Sequence, residues 1–121
     1  MKDRKINAER VSKLVNFINI NLNVVIVVSL LSISQKWLNW NKIKKKKYYQ
    51  IFLDVPVHIL KKRNVRKIYS NKNNVVGIHI NYKKPINNYM TFKNIFNKKF
   101  LIQATKKILT NKNIRNSLKK I

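Results

Sequence analysis

Side chains that could carry acid–base or metal chemistry are scarce in this chain. It holds two histidines, three acidic residues and no cysteine, so the sequence offers neither disulfides nor thiolate metal sites. Two histidines need carboxylate partners to hold zinc, and three scattered acids are too few for that or for a paired-carboxylate active site. His58 has no placed partner, and we interpret it as a structural residue. The residues by themselves give no sign of catalysis.

The single glycine, Gly77, bears directly on phosphate binding. The Walker A pattern G-x-x-x-x-G-K-[ST] needs two glycines, because its backbone N–H groups must wrap around the phosphates. The dinucleotide pattern G-x-G-x-x-G needs still more. Neither pattern can therefore occur in these 121 residues.

The formal charge of +25, from 28 Lys and Arg against 3 Asp and Glu, allows two interpretations. One is a protein that binds nucleic acid or another anionic surface, since neutralising phosphates releases counterions. The other is codon bias: Lys, Asn and Ile dominate the chain, as in an AT-rich genome, and lysine outnumbers arginine although arginine recognises phosphate better. We favour codon bias, and expect any nucleic-acid binding to be non-specific.

The stretch from Ile51 to Tyr69 reads as an α/β unit. Residues 48–55 predict a buried strand, residues 56–62 a short helix that begins with a proline, and a basic segment then enters a loop. Binding residues of α/β folds collect just past the carboxyl ends of the strands.

Two further helices and a second strand precede this unit. Residues 3–21 predict a helix with one apolar face, formed by Val11, Leu14, Val15 and Ile18. Residues 22–31, LNVVIVVSLL, are apolar on both faces, which is typical of a parallel strand covered on both sides. Residues 35–47 predict a helix whose inward side chains are Trp37, Leu38, Trp40 and Ile43. We expect residues 24–31 and 48–54 to be adjacent or near-adjacent strands.

After the unit we predict a lid or loop over residues 64–84, a short strand over 89–92 and a helix over 98–110. That helix carries an apolar stripe formed by Phe100, Leu101, Ala104, Ile108 and Leu109. The last ten residues are polar and are expected to fray. We find no domain boundary, so we expect a single domain over residues 1–121.

The chain is not expected to enter a membrane. Residues 14–35 carry no formal charge, but asparagines interrupt them and their unbroken apolar part suits a strand better than a bilayer span. The N-terminus begins with charged residues rather than an apolar signal core. We therefore expect a cytoplasmic protein.

Several motifs occur in one order along the chain. DRKINAER, from residue 3, fits D-R-x-x-N-x-x-R, and VSLLSI, from residue 28, corresponds to V-S-F-I-S-P. FLDVP and RNVRKIY, from residues 52 and 63, correspond to F-V-D-x-P and R-D-x-K-G-L-Y. NNVVGIH and NYKKPIN, from residues 73 and 81, correspond to K-N-[FV]-[TV]-G-[IV]-D and P-Y-E-x-P-x-N-P. In this order and approximate spacing, they resemble the central and C-terminal portion of the adenylylsulfate kinases, a P-loop kinase family.

The resemblance implies an α/β fold: an incomplete three-layer, P-loop-kinase-like parallel sheet flanked by helices. It implies ATP and Mg²⁺ as cofactors and phosphoryl transfer to the 3′-hydroxyl of adenylylsulfate, a step of sulfate assimilation. By the same resemblance, Arg63 corresponds to an arginine near the ATP base. Five residues correspond to family positions that bind adenylylsulfate: Arg4, Asn7, Ser32, Asn74 and Val75. No catalytic or metal-binding residue is implied.

The chain also departs from the family pattern. The first strand, the Walker A loop and an acidic stretch of the family have no counterpart here, and the lid is several residues shorter. Gln35, Asn64, Asn73 and His79 replace an arginine, an acid, a lysine and an aspartate. We therefore expect an adenylylsulfate kinase-like polypeptide that is inactive alone, as a truncated product, a mis-assigned start or one piece of a split enzyme.

Two alternatives from other functional classes stay open. The chain could be a basic protein that binds RNA or nucleotides through its lysines. It could also be an interaction protein that self-associates or completes the sheet of another chain, because a missing central strand leaves exposed edges.

Overall fold

The computed structural model describes residues 2–31, 34–45, 47–64, 67, 69, 75–94 and 96–119. Its elements are α1 (Lys2–Asn21), α2 (Gln35–Lys44), β1 (Ile51–Asp54), α3 (Val57–Arg63), β2 (Met90–Lys93), α4 (Lys98–Thr110) and α5 (Lys112–Leu118). Across these residues β1 and β2 form one two-stranded parallel sheet, flanked by helices. The predicted α/β class with an incomplete P-loop-kinase-like sheet is confirmed.

The sheet joins β1 to a strand far along the chain. Ile51 lies opposite Met90 and Asp54 opposite Lys93 in a parallel ladder. Backbone hydrogen bonds outside the ladder extend it at both ends, from Tyr89 to the carbonyl of Gln50 (2.8 Å) and from Asn94 to the carbonyl of Asp54 (2.9 Å). The strands predicted over 48–55 and 89–92 are therefore present, but the first is shorter than predicted.

Residues 22–31, which we call the return segment, do not form the predicted strand. They have no regular secondary structure and do not pair with β1, so both the strand prediction and its expected pairing are wrong. The β-branched residues favour extended backbone, but a strand also needs a hydrogen-bonding neighbour. Among the residues that the structure describes, no strand pairs with the return segment.

The return segment runs back toward the start of α1. Ten extended residues span about 33 Å, and a helix of twenty residues is about 30 Å long. The two lengths match, and Leu30 and Leu31 reach the same cavity as Asp3 and Arg4. The chain therefore reverses direction after Asn21, and the end of the return segment lies next to the start of α1.

Small and polar side chains pack α1 against α2. Ala8 and Ser12 are buried, and the Asn41 side-chain amide donates a hydrogen bond to the Ser12 hydroxyl (3.0 Å). Val11, Val15 and Ile18 of the predicted α1 face are half-buried, whereas Leu14 is 59% exposed.

The helix α2 ends at Lys44, three residues before the predicted end at residue 47. Trp37, Leu38 and Trp40 are half-buried as predicted. Ile43 is 81% exposed, so its predicted inward position is wrong.

The C-terminal helices lie against the sheet and against each other. Phe100 of α4 packs edge-on against Phe92 of β2, with ring centroids 6.3 Å apart, and Ala104 and Ile114 are buried. Leu101 and Leu109 of the predicted stripe remain exposed, because α4 is covered on one side only.

The predicted fraying of the C-terminus is wrong for residues 112–118, which form α5. The Asn111 side-chain carbonyl caps this helix by accepting hydrogen bonds from the backbone of Asn113 and Ile114. The Tyr89 hydroxyl donates a further bond to the same oxygen (2.8 Å). No helix within the described ranges is long and apolar enough to cross a membrane.

Candidate functional site

A cavity of about 350 Å³ lies at the N-terminal end of α1. The residues that line it are Asp3, Arg4, Asn7, Leu30 and Leu31. Arg4 and Asn7 are three residues apart and so share one face of the helix. The first turns of α1 and the last residues of the return segment therefore build this site together.

The lining residues suit an anionic ligand with a flat apolar part. The Arg4 guanidinium is a planar fork of donors that matches phosphate or sulfate oxygens, and the N-terminus of α1 adds a favourable dipole. The Asn7 amide can both donate and accept, while Asp3 can accept hydrogen bonds from hydroxyl groups. Leu30 and Leu31 form the apolar part of the cavity wall. The volume lies at the small end of the range for ligand pockets.

Two of the residues that the resemblance assigned to adenylylsulfate fall outside the described residues. Ser32 follows Leu31 in the sequence and lies outside the described residues. The same holds for Asn74, which precedes Val75.

Val75 does not line the cavity of Arg4 and Asn7. Its side chain is buried, and its carbonyl accepts hydrogen bonds from the backbone of Ile78, His79 and Ile80 (3.3, 2.9 and 3.1 Å). Its own backbone N–H donates to Nδ1 of His79 (3.4 Å). In this structure the backbone of Val75 therefore holds a local turn.

The turn formed by residues 75–80 explains the one glycine of the chain. Gly77 has a φ of +84°, in the region that side-chain-bearing residues rarely adopt, and an added Cβ would lie 3.4 Å from the Cγ2 atom of Val57. The backbone of Gly77 donates to the carbonyl of Ile80 (2.9 Å). Gly77 thus serves the shape of this loop and its contact with α3.

Arg63 ends α3 and stacks on an aromatic ring. Its guanidinium lies 4.1 Å from the centroid of Phe96, within the distance of a cation–π interaction. Arg63 does not line the cavity of Arg4 and Asn7. The structure therefore brings together two of the six sequence-predicted residues and places Arg63 and Val75 elsewhere.

Two glutamines hold the loop that follows the predicted lid. Gln35 accepts a hydrogen bond from the backbone of Ile86 (3.2 Å), and Gln50 donates to the Asn88 side chain (2.5 Å). Gln35 occupies a position where the family pattern has an arginine. The sequence therefore singled out this position but did not predict its hydrogen bond to Ile86.

Asp54, at the end of β1, is already engaged. It forms an ion pair with Lys84 (N–O distance 2.7 Å). Burial, together with the negative charge of Asp54, raises the pKa of the Tyr82 phenol above its ordinary value. Glu9 is likewise paired, with Lys13 (2.7 Å), and its hydrogen bond with Lys13 lowers the pKa of its carboxyl.

The described residues do not fit a protein-built Mg²⁺ site. No group of three or more His, Cys, Asp or Glu side chains comes together among them. Of the three acids, Glu9 and Asp54 are paired with lysines, and Asp3 is the carboxylate at the cavity. Mg²⁺ is usually held by one or two carboxylates together with substrate phosphates, so this chain offers little to retain the ion.

A comparison with protein-family models matches residues 1–93 to adenylylsulfate kinase. The matched range begins before α1, includes the cavity and ends with the last residue of β2. The chain belongs to the adenylylsulfate kinase family. Searches of curated proteins and of solved structures return no match. Adenylylsulfate kinases are nucleotide-binding kinases that use ATP and Mg²⁺, so the predicted membership in a transferase family is confirmed.

The sequence did not single out Asp3, Leu30 and Leu31 as cavity residues. Asp3 was visible as the first residue of the DRKINAER motif, and the two leucines as the residues before Ser32. Their assembly into one site depends on the reversal of the chain after α1, which no local pattern encodes.

Proposed function

We propose that this chain binds adenylylsulfate in the cavity at the start of α1 and that it does not phosphorylate this ligand by itself. The reaction of the active family is ATP plus adenylylsulfate to ADP plus 3′-phosphoadenylylsulfate, in sulfate assimilation. The observation that carries the proposal is that Arg4 and Asn7 line one cavity with the residues just before Ser32. We assign Ser32, Asn74 and Val75 to the same ligand, and Arg63 to the ATP base, on the family resemblance.

The chemistry of adenylylsulfate fits the cavity lining. Its phosphosulfate carries negative charge that a guanidinium can bind with two parallel hydrogen bonds. Its adenine and ribose offer donors, acceptors and an apolar ring face. In this proposal residues 1–121 act as one cytoplasmic domain, and residues 64–84 are its lid.

The proposed lack of turnover follows from the single glycine and the few acids. Phosphoryl transfer depends almost entirely on positioning the phosphates and on stabilising their charge. A chain with one glycine cannot form a Walker A loop, and no Mg²⁺ site is built from the described residues. We therefore expect binding without transfer.

Calorimetric titration of the full chain with adenylylsulfate tests the binding claim. Arg4→Ala should weaken binding by about 1.5–3 kcal/mol, the range for hydrogen bonds to charged groups. Lys5→Ala is the matched control, because Lys5 is exposed on the same helix, carries the same charge and does not line the cavity. Equal losses in the two variants would show that only the general positive charge attracts the ligand.

A coupled ADP-release assay with ATP, Mg²⁺ and adenylylsulfate tests the lack of turnover. We expect no release above the background without adenylylsulfate, while an active adenylylsulfate kinase in the same assay serves as the positive control. Clear turnover by this chain alone would overturn the inactivity claim and leave the binding claim to the titration.

A further inference from the structure

The return segment leaves an unusual amount of apolar surface open. Seven of its large apolar side chains are exposed, and Val27 reaches 88%. These side chains are Leu22, Val24, Val25, Val27, Val28, Leu30 and Leu31. Contiguous apolar surface of this kind usually marks a place where another molecule binds.

The backbone of the return segment is open as well. From residue 23 to residue 31, no backbone group bonds to the backbone of another residue that the structure describes; the nearest such bond joins the N–H of Leu22 to the carbonyl of Ile18. Valine and isoleucine favour extended backbone. An extended chain with unpaired N–H and C=O groups is a template for a further strand.

The two sides of the return segment differ in exposure. Side chains alternate along an extended chain, so Val24, Ile26, Val28 and Leu30 share one side, which is half-buried or 42–46% exposed. On the other side Val25 and Val27 are 49 and 88% exposed, while Leu31 lines the cavity at the start of α1. Val25 and Val27 are therefore the side chains that a partner would cover.

The charge of the chain selects the kind of partner. The uncharged stretch over residues 14–35 lies between Lys13 and Lys36, in a chain of net charge +25. A second copy would bring the same positive field and be repelled, whereas an acidic polypeptide would be attracted. Nucleic acid fits the charge but not a row of valines, because it is held by cations and aromatic rings.

We propose that the return segment binds an extended segment of a net-acidic polypeptide by strand addition. Backbone hydrogen bonds to residues 23–31 hold the added strand, its apolar side chains cover Val25 and Val27, and the positive charge of the chain attracts its carboxylates. The proposal does not depend on adenylylsulfate binding, because Val25 and Val27 do not line the cavity of Arg4 and Asn7.

The test uses the full chain and a fluorescent ten-residue peptide in which valine alternates with glutamate. We expect saturable binding by fluorescence anisotropy, together with protection of the amides of residues 23–31 from hydrogen exchange. The matched peptide has the same side chains but N-methyl groups on alternate amides, which block strand pairing. It should bind at least about tenfold more weakly, the factor that corresponds to about 1.4 kcal/mol.

Two variants of equal charge locate the binding site. Val27→Lys and Ile43→Lys both add a lysine at an exposed apolar position, at 88% and 81% exposure. Added positive charge strengthens attraction to the acidic peptide, so a loss of binding must come from lost strand contacts. Val27→Lys should weaken binding about tenfold and Ile43→Lys less than about twofold. Far-UV circular dichroism checks that both variants fold.

Three outcomes would overturn the proposal. Equal binding of the N-methylated peptide would show attraction by charge alone. Random-sequence RNA that protects the amides of residues 23–31 better than the peptide would assign the segment to nucleic acid. A dimer of the free chain by light scattering, with these amides already protected, would assign it to a second copy.

Discussion

At the level of single residues, the family motifs carry side chains that have different roles in the structure. Arg4 and Asn7 lie on one face of α1 and line one cavity with residues of the return segment. Val75 is buried, and its backbone holds a turn. Motif spacing along a helix predicts proximity well because the helix sets the geometry, whereas a loop residue is positioned by contacts that are distant in sequence.

Lys45 is a buried cation, and its environment predicts a dependence of stability on pH. It is 7% exposed, its ammonium donates to the Asn41 side chain and lies 5.1 Å from the centroid of the Trp40 ring. Burial lowers the pKa of Lys45 below its ordinary value of 10.5. Below its folded pKa this lysine is protonated in both states, so its burial then lowers the free energy of unfolding by a constant amount.

We expect the free energy of unfolding of the natural protein to increase relative to that of the Lys45→Met variant as the pH rises toward 10.5. In that range the unfolded chain binds more protons at Lys45 than the folded chain, so the natural protein becomes more stable with pH. Urea denaturation of both proteins between pH 7 and pH 10 measures the difference. Lys44→Met, at an exposed neighbouring position, is the control and should show no such gain. Parallel curves for all three proteins would contradict the expectation.

At the scale of elements, the short C-terminal helix shows how a polar sequence becomes ordered. Its residues carry little apolar patterning, but Asn111 caps it and Tyr89 binds the same cap. Tyr49 adds a hydrogen bond from its hydroxyl to the carbonyl of Asn113 (3.0 Å). The helix is therefore held by the side chains of Tyr49 and Tyr89, which lie just before β1 and β2 in the sequence, rather than by its own propensity.

Asn111→Ala should destabilise α5 by about 1 kcal/mol, because it removes the helix cap and also leaves the Tyr89 hydroxyl without this acceptor. Amide hydrogen exchange over residues 112–118 should report the loss locally, and urea denaturation should report it for the whole protein. Asn116→Ala is the matched control, since Asn116 is exposed within the same helix. The cap assignment fails if both substitutions have the same effect.

At the scale of the whole molecule, the charge of +25 is the dominant property. Glu9 and Asp54 each form an ion pair with one lysine. Nearly all the other lysines and arginines therefore contribute to a positive electrostatic field around the protein. A positive field of this size attracts any polyanion, whatever its origin. It does not by itself indicate a nucleic-acid-binding function.

We expect random-sequence RNA to bind this protein at low salt and to be lost by about 0.2 M salt, as counterion-release binding requires. Fluorescence anisotropy with two unrelated RNA sequences, titrated with salt, measures this. The two sequences should give the same affinity and the same salt slope. Binding that persists at physiological ionic strength and prefers one sequence would instead support the alternative of a dedicated RNA-binding protein.

Local patterns along the chain predict the family, the α/β class and the position of most elements. The helices over residues 2–21, 57–63 and 98–110 lie where periodicity, a proline and an apolar stripe predict them, because helix contacts are local. Arg4 and Asn7 could be chosen for the same reason, since one turn of helix separates them.

Contacts between residues far apart in sequence determine which segments meet. Residues 51–54 pair with residues 90–93 and not with the apolar return segment, although the return segment looks more like a strand. The pattern of side chains indicates that a segment favours extended backbone. Which strand it pairs with depends on hydrogen bonds between residues far apart in sequence. For the same reason the sequence does not predict that Leu30 and Leu31 line the cavity, because their position depends on the chain folding back along α1.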